Sequence, residues 1–238
     1  MKDFLSLKKD LSKEGKPSQA TALQRFFKTG PGQYGEGDIF IGIKVPVLRT
    51  LSKQYSTLPL NDLKKLIHSK IHEERMIALF ILRHNFEKSK TEIERKKIID
   101  FYLKYRKGIN NWDLVDTSVP YILGPWLKDK DRSILYKFAR SKNLWERRIA
   151  VLATFHFIKN NDYKDALALA EILLNDTHDL LHKAVGWMLR EIGKRDLSAE
   201  EQFLKKHASQ MPRTMLRYAI EKFQEEKRKG YLRCHSPA

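Results

Sequence analysis

Apolar residues recur at helical spacing along nearly the whole chain, and no segment sustains the alternation of a half-buried strand. Start signals punctuate the pattern. Asp131 precedes Arg132-Ser-Ile-Leu-Tyr, Asn143 precedes Leu144-Trp-Glu-Arg-Arg, and Asp162 precedes Tyr163-Lys-Asp-Ala-Leu. Each reads as a helix N-cap, because its side-chain oxygen suits an orphan first-turn N–H. Ser198 with Glu201 reads as a capping box, and Pro46 and Pro212 suit first-turn positions. Breaks at Thr29-Gly30, Lys107-Gly108, Asn160-Asn161 and Gly193-Lys-Arg-Asp196 separate about a dozen helices.

The helices also repeat. Glu74-Arg-Met-Ile-Ala-Leu, Glu146-Arg-Arg-Ile-Ala-Val and His182-Lys-Ala-Val-Gly-Trp share one pattern, at offsets of 72 and 36 residues. The slot near residue 110 falls to the segment opening at Trp112. A 36-residue unit that holds two helices predicts an all-α solenoid of HEAT-like helical hairpins, one domain over 1–238 with a concave basic face.

Composition adds a partner class. Forty-six Lys and Arg against 29 Asp and Glu give a net charge of +17 and a pI near 9.8, spread along the chain rather than gathered in a tail. Such a folded basic surface suits a polyanion, nucleic acid before anionic membrane. No apolar run approaches the roughly 20 residues that span a bilayer. Asp3 and Asp10 interrupt the apolar N-terminus, which therefore lacks a signal-peptide centre. The single cysteine, Cys234, excludes an internal disulfide and a Cys-rich zinc site. A cytoplasmic protein is expected.

Two motifs fail on context. Gly30-Pro-Gly-Gln-Tyr-Gly35 matches G-x-G-x-x-G, but a helix precedes it and more loop follows. It is better read as an ordered loop in which Tyr34 or backbone N–H groups meet a phosphate. His178 and His182 stand one turn apart, yet no carboxylate or Cys set completes a metal site.

Three residues sit against the grain of their helices. Read at helical spacing, Trp112, Val115, Val119, Ile122, Leu123 and Trp126 form one apolar stripe, and Asp116 falls inside it. A carboxylate there needs a cation or a chemical role. It either pairs structurally and affects stability alone, or it does chemistry. Arg148, on a helix apolar nearly all round, is the candidate counter-charge. Trp187 lies off the stripe Leu181, Ala184, Val185, Met188 and Ile192, flanked by Lys183 and Arg190. An aromatic among cations suits a nucleic-acid backbone and its sugars, or else inter-repeat packing.

Trp112-Asp-Leu-Val-Asp116 with Val119-Pro120, Asn143-Leu-Trp-Glu-Arg-Arg148 and Ala184-Val-Gly-Trp187-Met-Leu-Arg190-Glu also carry a family likeness. Over most of its length the chain resembles the AlkD-type DNA alkylation-repair glycosylases, which are built of HEAT-like repeats. The resemblance implies a functional set at Trp112, Asp116, Arg148 and Trp187, with Arg148 holding a phosphate; Lys183, Arg190, Arg49 and Tyr34 are expected as further DNA contacts. It implies a monomer that excises cationic N3- or N7-alkylated purines from double-stranded DNA, needs no metal or redox cofactor, and associates with the nucleoid. A non-catalytic binder of damaged or branched DNA and a protein-interaction scaffold are the alternatives.

Overall fold

The computed structural model describes residues 2–234, and the side chain of Cys234 lies outside the described residues. Fifteen α-helices and three 3-10 turns build the described residues, whose bridge between Ile39 and Ile71 is isolated. The all-helical architecture is the one the periodicity predicts. The chain divides into two compact units, residues 1–122 and 123–238.

The first unit contains α1 (Phe4–Glu14), α2 (Pro17–Phe26), α3 (Val45–Gln54), α4 (Leu60–Ile67), α5 (His72–Lys88), α6 (Glu92–Lys104) and α7 (Trp112–Ser118). Its centre is α5, against which α3, α4, α6 and α7 all pack. From Met76 to Leu82 every residue of α5 is buried. The first turn of α5 is buried too, although it reads His-Glu-Glu-Arg, and each of these four side chains has its own partner. The Glu73 carboxylate accepts the N–H groups of Ile41, Gly42 and Ile43 at 2.8–3.3 Å. Gly42 makes that possible with a left-handed backbone (φ 83°) that side chains rarely adopt. Glu74 pairs with Lys8. Arg75 donates to the Ser69 carbonyl and to Asp38, and His72 lies between two carboxylates.

The second unit holds α8 (Leu123–Trp126), α9 (Ser133–Ala139), α10 (Leu144–Lys159), α11 (Lys164–Ile172), α12 (Asp179–Gly193), α13 (Leu197–His207), α14 (Arg213–Ala219) and α15 (Glu225–Cys234). Here α10 packs on α8, α9, α11 and α12, and α12 on α11, α13 and α14. At Gly186 the backbones of α12 and α14 come close together. A Cβ there would stand 2.4 Å from the Met215 carbonyl and 2.6 Å from the Tyr218 Cβ.

The repeat is visible in hydrogen bonds as well as in sequence. Arg75 and Arg147, 72 residues apart, each donate to the carbonyl six residues back, Ser69 at 2.8 Å and Ser141 at 2.9 Å. The hydroxyls of those serines each accept the N–H two residues on, both at 3.0 Å. One helix-entry device is thus used in both units.

Several local expectations need correction. The stripe from Trp112 to Trp126 is not one helix: Val119–Tyr121 is a 3-10 turn, because Pro120 lacks an N–H and crowds the preceding turn. Asn143 does cap α10, accepting from Trp145 and Glu146. Asp196 rather than Ser198 caps α13, taking the Ala199 N–H at 3.0 Å and starting the helix earlier. The capping box that forms is Thr91 with Glu94 on α6. Asp131 accepts the Ser133 N–H but stands one residue outside the cap position, and Pro212 occupies a cap position rather than a first turn. Asp162 caps nothing; Arg132 takes it instead at 2.6 Å, while also binding Asp165 and stacking 3.8 Å from the Phe157 ring centroid. Among the described residues no helix is long and apolar enough to cross a membrane.

Candidate functional site

Helix α7 carries two carboxylates one turn apart, and burial separates them. Asp116 is half-buried, whereas Asp113 is only 9% exposed. The buried acid of this helix is therefore Asp113, and its partner is His72: Nε2 lies 2.8 Å from Asp113 Oδ2, and Nδ1 lies 3.1 Å from Asp38 Oδ2. Arg75 at 2.6 Å and Asn111 at 3.2 Å complete the shell of Asp38. Burial alone would push the His72 pKa down; the charge and hydrogen bond of Asp113 and the hydrogen bond of Asp38 outweigh it and leave it raised. Burial pushes Asp38 the other way, yet His72, Arg75 and Asn111 hold its carboxyl below the ordinary value.

This network fixes the start of α7. Asn111 accepts the Trp112 N–H, Asp113 accepts that of Leu114, and the Thr117 hydroxyl donates to the Asp113 carbonyl at 2.6 Å. An aromatic column runs through the same place. His72 stacks on Phe40 (centroids 4.4 Å apart), Phe40 on Phe27 (4.9 Å) and Phe27 on Trp112 (5.2 Å, planes 17° apart). Phe26, 64% exposed, meets Trp112 edge-on at 6.0 Å. One face of the half-buried Trp112 is therefore backed by Phe27, which sets the ring's plane. Trp112 and Asp116 lie one turn apart on a helix end that ion pairs and stacking hold in place.

In the second unit the repeat shows which residues depart from the common pattern. At the 72- and 36-residue offsets, Arg148 of α10 corresponds to Met76 of α5 and Ala184 of α12, both buried. A guanidinium occupies a core slot, and it is only 4% exposed. Its Nη1 donates to the Leu180 carbonyl, tying α10 to the first turn of α12. Trp187 corresponds in the same way to the buried Leu79 and Val151, but it is itself half-buried. Its Nε1 donates to Glu191 Oε1 at 3.2 Å, and its ring lies 5.7 Å from that of Phe155. Glu191 is in turn gripped by Lys194 at 2.5 Å and Arg195 at 3.3 Å. Burial pushes Glu191 up, but Lys194, Trp187 and Arg195 leave it below the ordinary value, an anchored acceptor for the indole.

The remaining expected contacts vary in availability. Lys183 pairs with Asp179 at 2.6 Å, and Arg190 pairs with Glu221. Arg49 is exposed, its guanidinium 5.3 Å from the Phe80 ring centroid. Tyr34 turns its hydroxyl toward the Phe26 carbonyl. In its loop the Gly30 and Gly32 N–H groups are taken by Gln33 and Glu36 of the same loop, so they are not free to cradle a phosphate. His178 caps α12 through Nδ1, and His182 Nε2 bonds to the Asp176 carbonyl. Among the described residues no three His, Cys, Asp or Glu side chains group to hold a metal ion.

Sequence reading overlooked the Asp38–His72–Asp113–Arg75 network. One signal for it was present: His-Glu-Glu-Arg runs directly into the apolar stretch Met76–Leu82, and four polar side chains in such a place require partners.

The family model described as DNA alkylation repair enzyme matches residues 7–223. Among solved structures, a predicted DNA alkylation repair enzyme from Enterococcus faecalis aligns with a TM-score of 0.70 at 19% identity, covering 89% of this chain and 98% of its own. At that identity the likeness is one of fold. No curated protein matches the chain.

Proposed function

The chain belongs to the DNA alkylation repair enzyme family, and from that premise we propose that it is a monofunctional DNA glycosylase for cationic N3- and N7-alkylpurines in duplex DNA. The reading rests above all on the contrast within α7. Asp113 is buried against His72, while Asp116, one turn on, is half-buried on the same helix as Trp112.

An N3- or N7-alkylated purine carries a positive charge, so breaking its C1′–N bond returns the bonding pair to a base that leaves neutral. No acid is needed to protonate the leaving group, and the chemistry asks for no metal. What remains is an oxocarbenium-like sugar and a water molecule. Asp116 stabilises the developing positive charge on the sugar, orients the water that attacks C1′ and accepts its proton. Trp112, held flat by Phe27, offers its ring to the deoxyribose, and Trp187, oriented by Glu191, is the second aromatic of the proposed set. Arg148 acts from its core slot as the cation that holds the phosphate. Lys183 and Arg190 exchange Asp179 and Glu221 for DNA phosphates, with Arg49 and Tyr34 as further backbone contacts. The protein works as a cytoplasmic monomer that associates with the nucleoid.

The test is release of free N7-methylguanine from duplex DNA, scored against spontaneous depurination. Release above background by the native protein and background release by Asp116→Asn is the expected result. Salt-dependent binding with no release by the native protein would instead make the chain a non-catalytic DNA binder. Capture of a protein partner with no DNA affinity would make it a scaffold.

A further inference from the structure

We propose that the cleft between α3 and α5 of the first unit is a phosphodiester-binding site for the backbone of duplex DNA, apart from the residues assigned to base release. The inference rests on the reading of the chain as a DNA-binding repair protein and specifies where one strand is gripped.

The cleft has a volume of about 280 Å³ and is lined by Arg49 and Lys53 from α3 and by Phe80, Arg83, His84 and Glu87 from α5. Its charges do not cancel. Glu87, the single acid of the lining, is matched by Arg83 at 2.8 Å, and the Arg83 guanidinium lies 3.4 Å from the Tyr121 ring centroid. That leaves Arg49 and Lys53, which have no carboxylate partner among the described residues, with the half-buried His84 alongside. Two permanent positive charges thus face one cavity with no carboxylate among the described residues to answer them.

A second cleft in the other unit gives the contrast. It is lined by Asp179, Lys183, Arg217, Glu221 and Arg228, but Lys183 is matched by Asp179 and Arg228 by Glu225, both at 2.6 Å. Glu221 there is already shared by Arg190 and Lys222. That cleft is nearly neutralised from within, whereas the α3–α5 cleft is not.

The geometry also suits a chain of phosphates better than a single anion. Arg49 and Lys53 stand one helical turn apart on one face of α3, their Cβ atoms about 5–6 Å apart, so they present two charges in a row. Arg49 is held over the buried Phe80 ring, 5.3 Å from its centroid, which orders the guanidinium fork before a ligand arrives. An ordered fork pairs with phosphate oxygens through two parallel N–H bonds. The cleft carries no unpaired acid to repel them.

The experiment is the salt dependence of affinity for unmodified duplex DNA, read by fluorescence anisotropy. It compares the full chain, Arg49→Ala/Lys53→Ala, and a control, Lys96→Ala/Lys97→Ala, that removes equal charge from exposed positions on α6. Each lost phosphate contact lowers the slope of log K against log salt by about 0.9, so the cleft variant should lose about 1.8 and bind on the order of tenfold more weakly or worse. The control should keep the native slope. Equal slopes for the cleft variant and the native protein, or equal losses in both variants, would overturn the proposal. A native protein that binds DNA but releases no base would sink the glycosylase reading and leave this one standing. Inorganic phosphate is titrated in parallel. If it binds in a manner that Arg49→Ala/Lys53→Ala abolishes while the DNA slope stays native, the cleft holds free phosphate and the backbone assignment fails.

Discussion

Replacing Asp113 by alanine should damage the fold, and replacing Asp116 by asparagine should not, although the two acids lie three residues apart on one helix. Asp113→Ala removes the 2.8 Å partner of a His72 imidazole that is itself buried, and leaves that group facing Asp38 alone. Removing one member of a buried pair typically costs about 3–5 kcal/mol, because the other charge stays behind uncompensated. The Leu114 N–H loses its acceptor as well. At roughly 2–4 °C per kcal/mol for a protein of this size, the melting temperature should fall by about 6–20 °C. The sign of the pH dependence follows from His72. Its pKa in the fold is raised, so its contribution is fully present below the unfolded value near 6.5 and is lost as pH rises through the folded value. Asp38 sets the lower edge. Its pKa is depressed in the fold, so its contribution holds above the unfolded value and fades as pH falls through the folded one. The difference in melting temperature between native protein and Asp113→Ala should therefore be largest below about pH 6.5 and narrow as pH rises through the folded value of His72. Circular dichroism melts across that range decide the matter. For Asp116→Asn the same melts should shift by less than about 1 kcal/mol, as for other substitutions outside the core. If Asp116→Asn melts as low as Asp113→Ala, Asp116 is structural and the division of labour within α7 is wrong.

Other outcomes follow from the same geometry. Arg148→Met, which restores the side chain that the repeat carries at Met76, should abolish base release; losing the donor to the Leu180 carbonyl should cost only about 1–2 kcal/mol, as melts can check. Gly186→Ala drives a methyl group into the Met215 carbonyl and the Tyr218 side chain and should destabilise the protein by about 1–3 kcal/mol in urea titrations. Burial, with Glu201 adding to it, raises the Glu200 pKa to about 8, so Glu200 contributes stability below pH 4.5 that is lost as pH rises toward 8. The advantage of Glu200→Gln in melting temperature should accordingly grow from pH 5 to pH 9.

Helix class and repeat length were legible because each is written locally. A 3.6-residue period needs no knowledge of the neighbours, and an echo such as Glu74-Arg and Glu146-Arg reports the same helix entry twice. Even the departures could be seen as departures: Arg148 and Trp187 break patterns that their own helices set. What stayed hidden depended on partners far away in sequence. Asp113 and Asp116 look equally acidic in one dimension, and only His72, 41 residues earlier, sets one apart. Asp162 is a sound cap by type, but Arg132 competes for it from 30 residues away and wins with a charged pair. The helix boundary at Pro120 was readable and was overridden by the apolar stripe, which survives as buried Val115, Val119, Ile122 and Leu123 although the helix carrying it breaks.

The central claim is that the half-buried Asp116 carboxylate on a braced helix end hydrolyses the glycosidic bond of a cationic purine. The most direct measurement is the single-turnover rate of N7-methylguanine release from duplex DNA by the native protein, Asp116→Asn and a protein-free control at one pH. Release by the native protein well above the control, with Asp116→Asn indistinguishable from the control yet still binding the DNA, is what the account predicts. Release by Asp116→Asn at the native rate would contradict it.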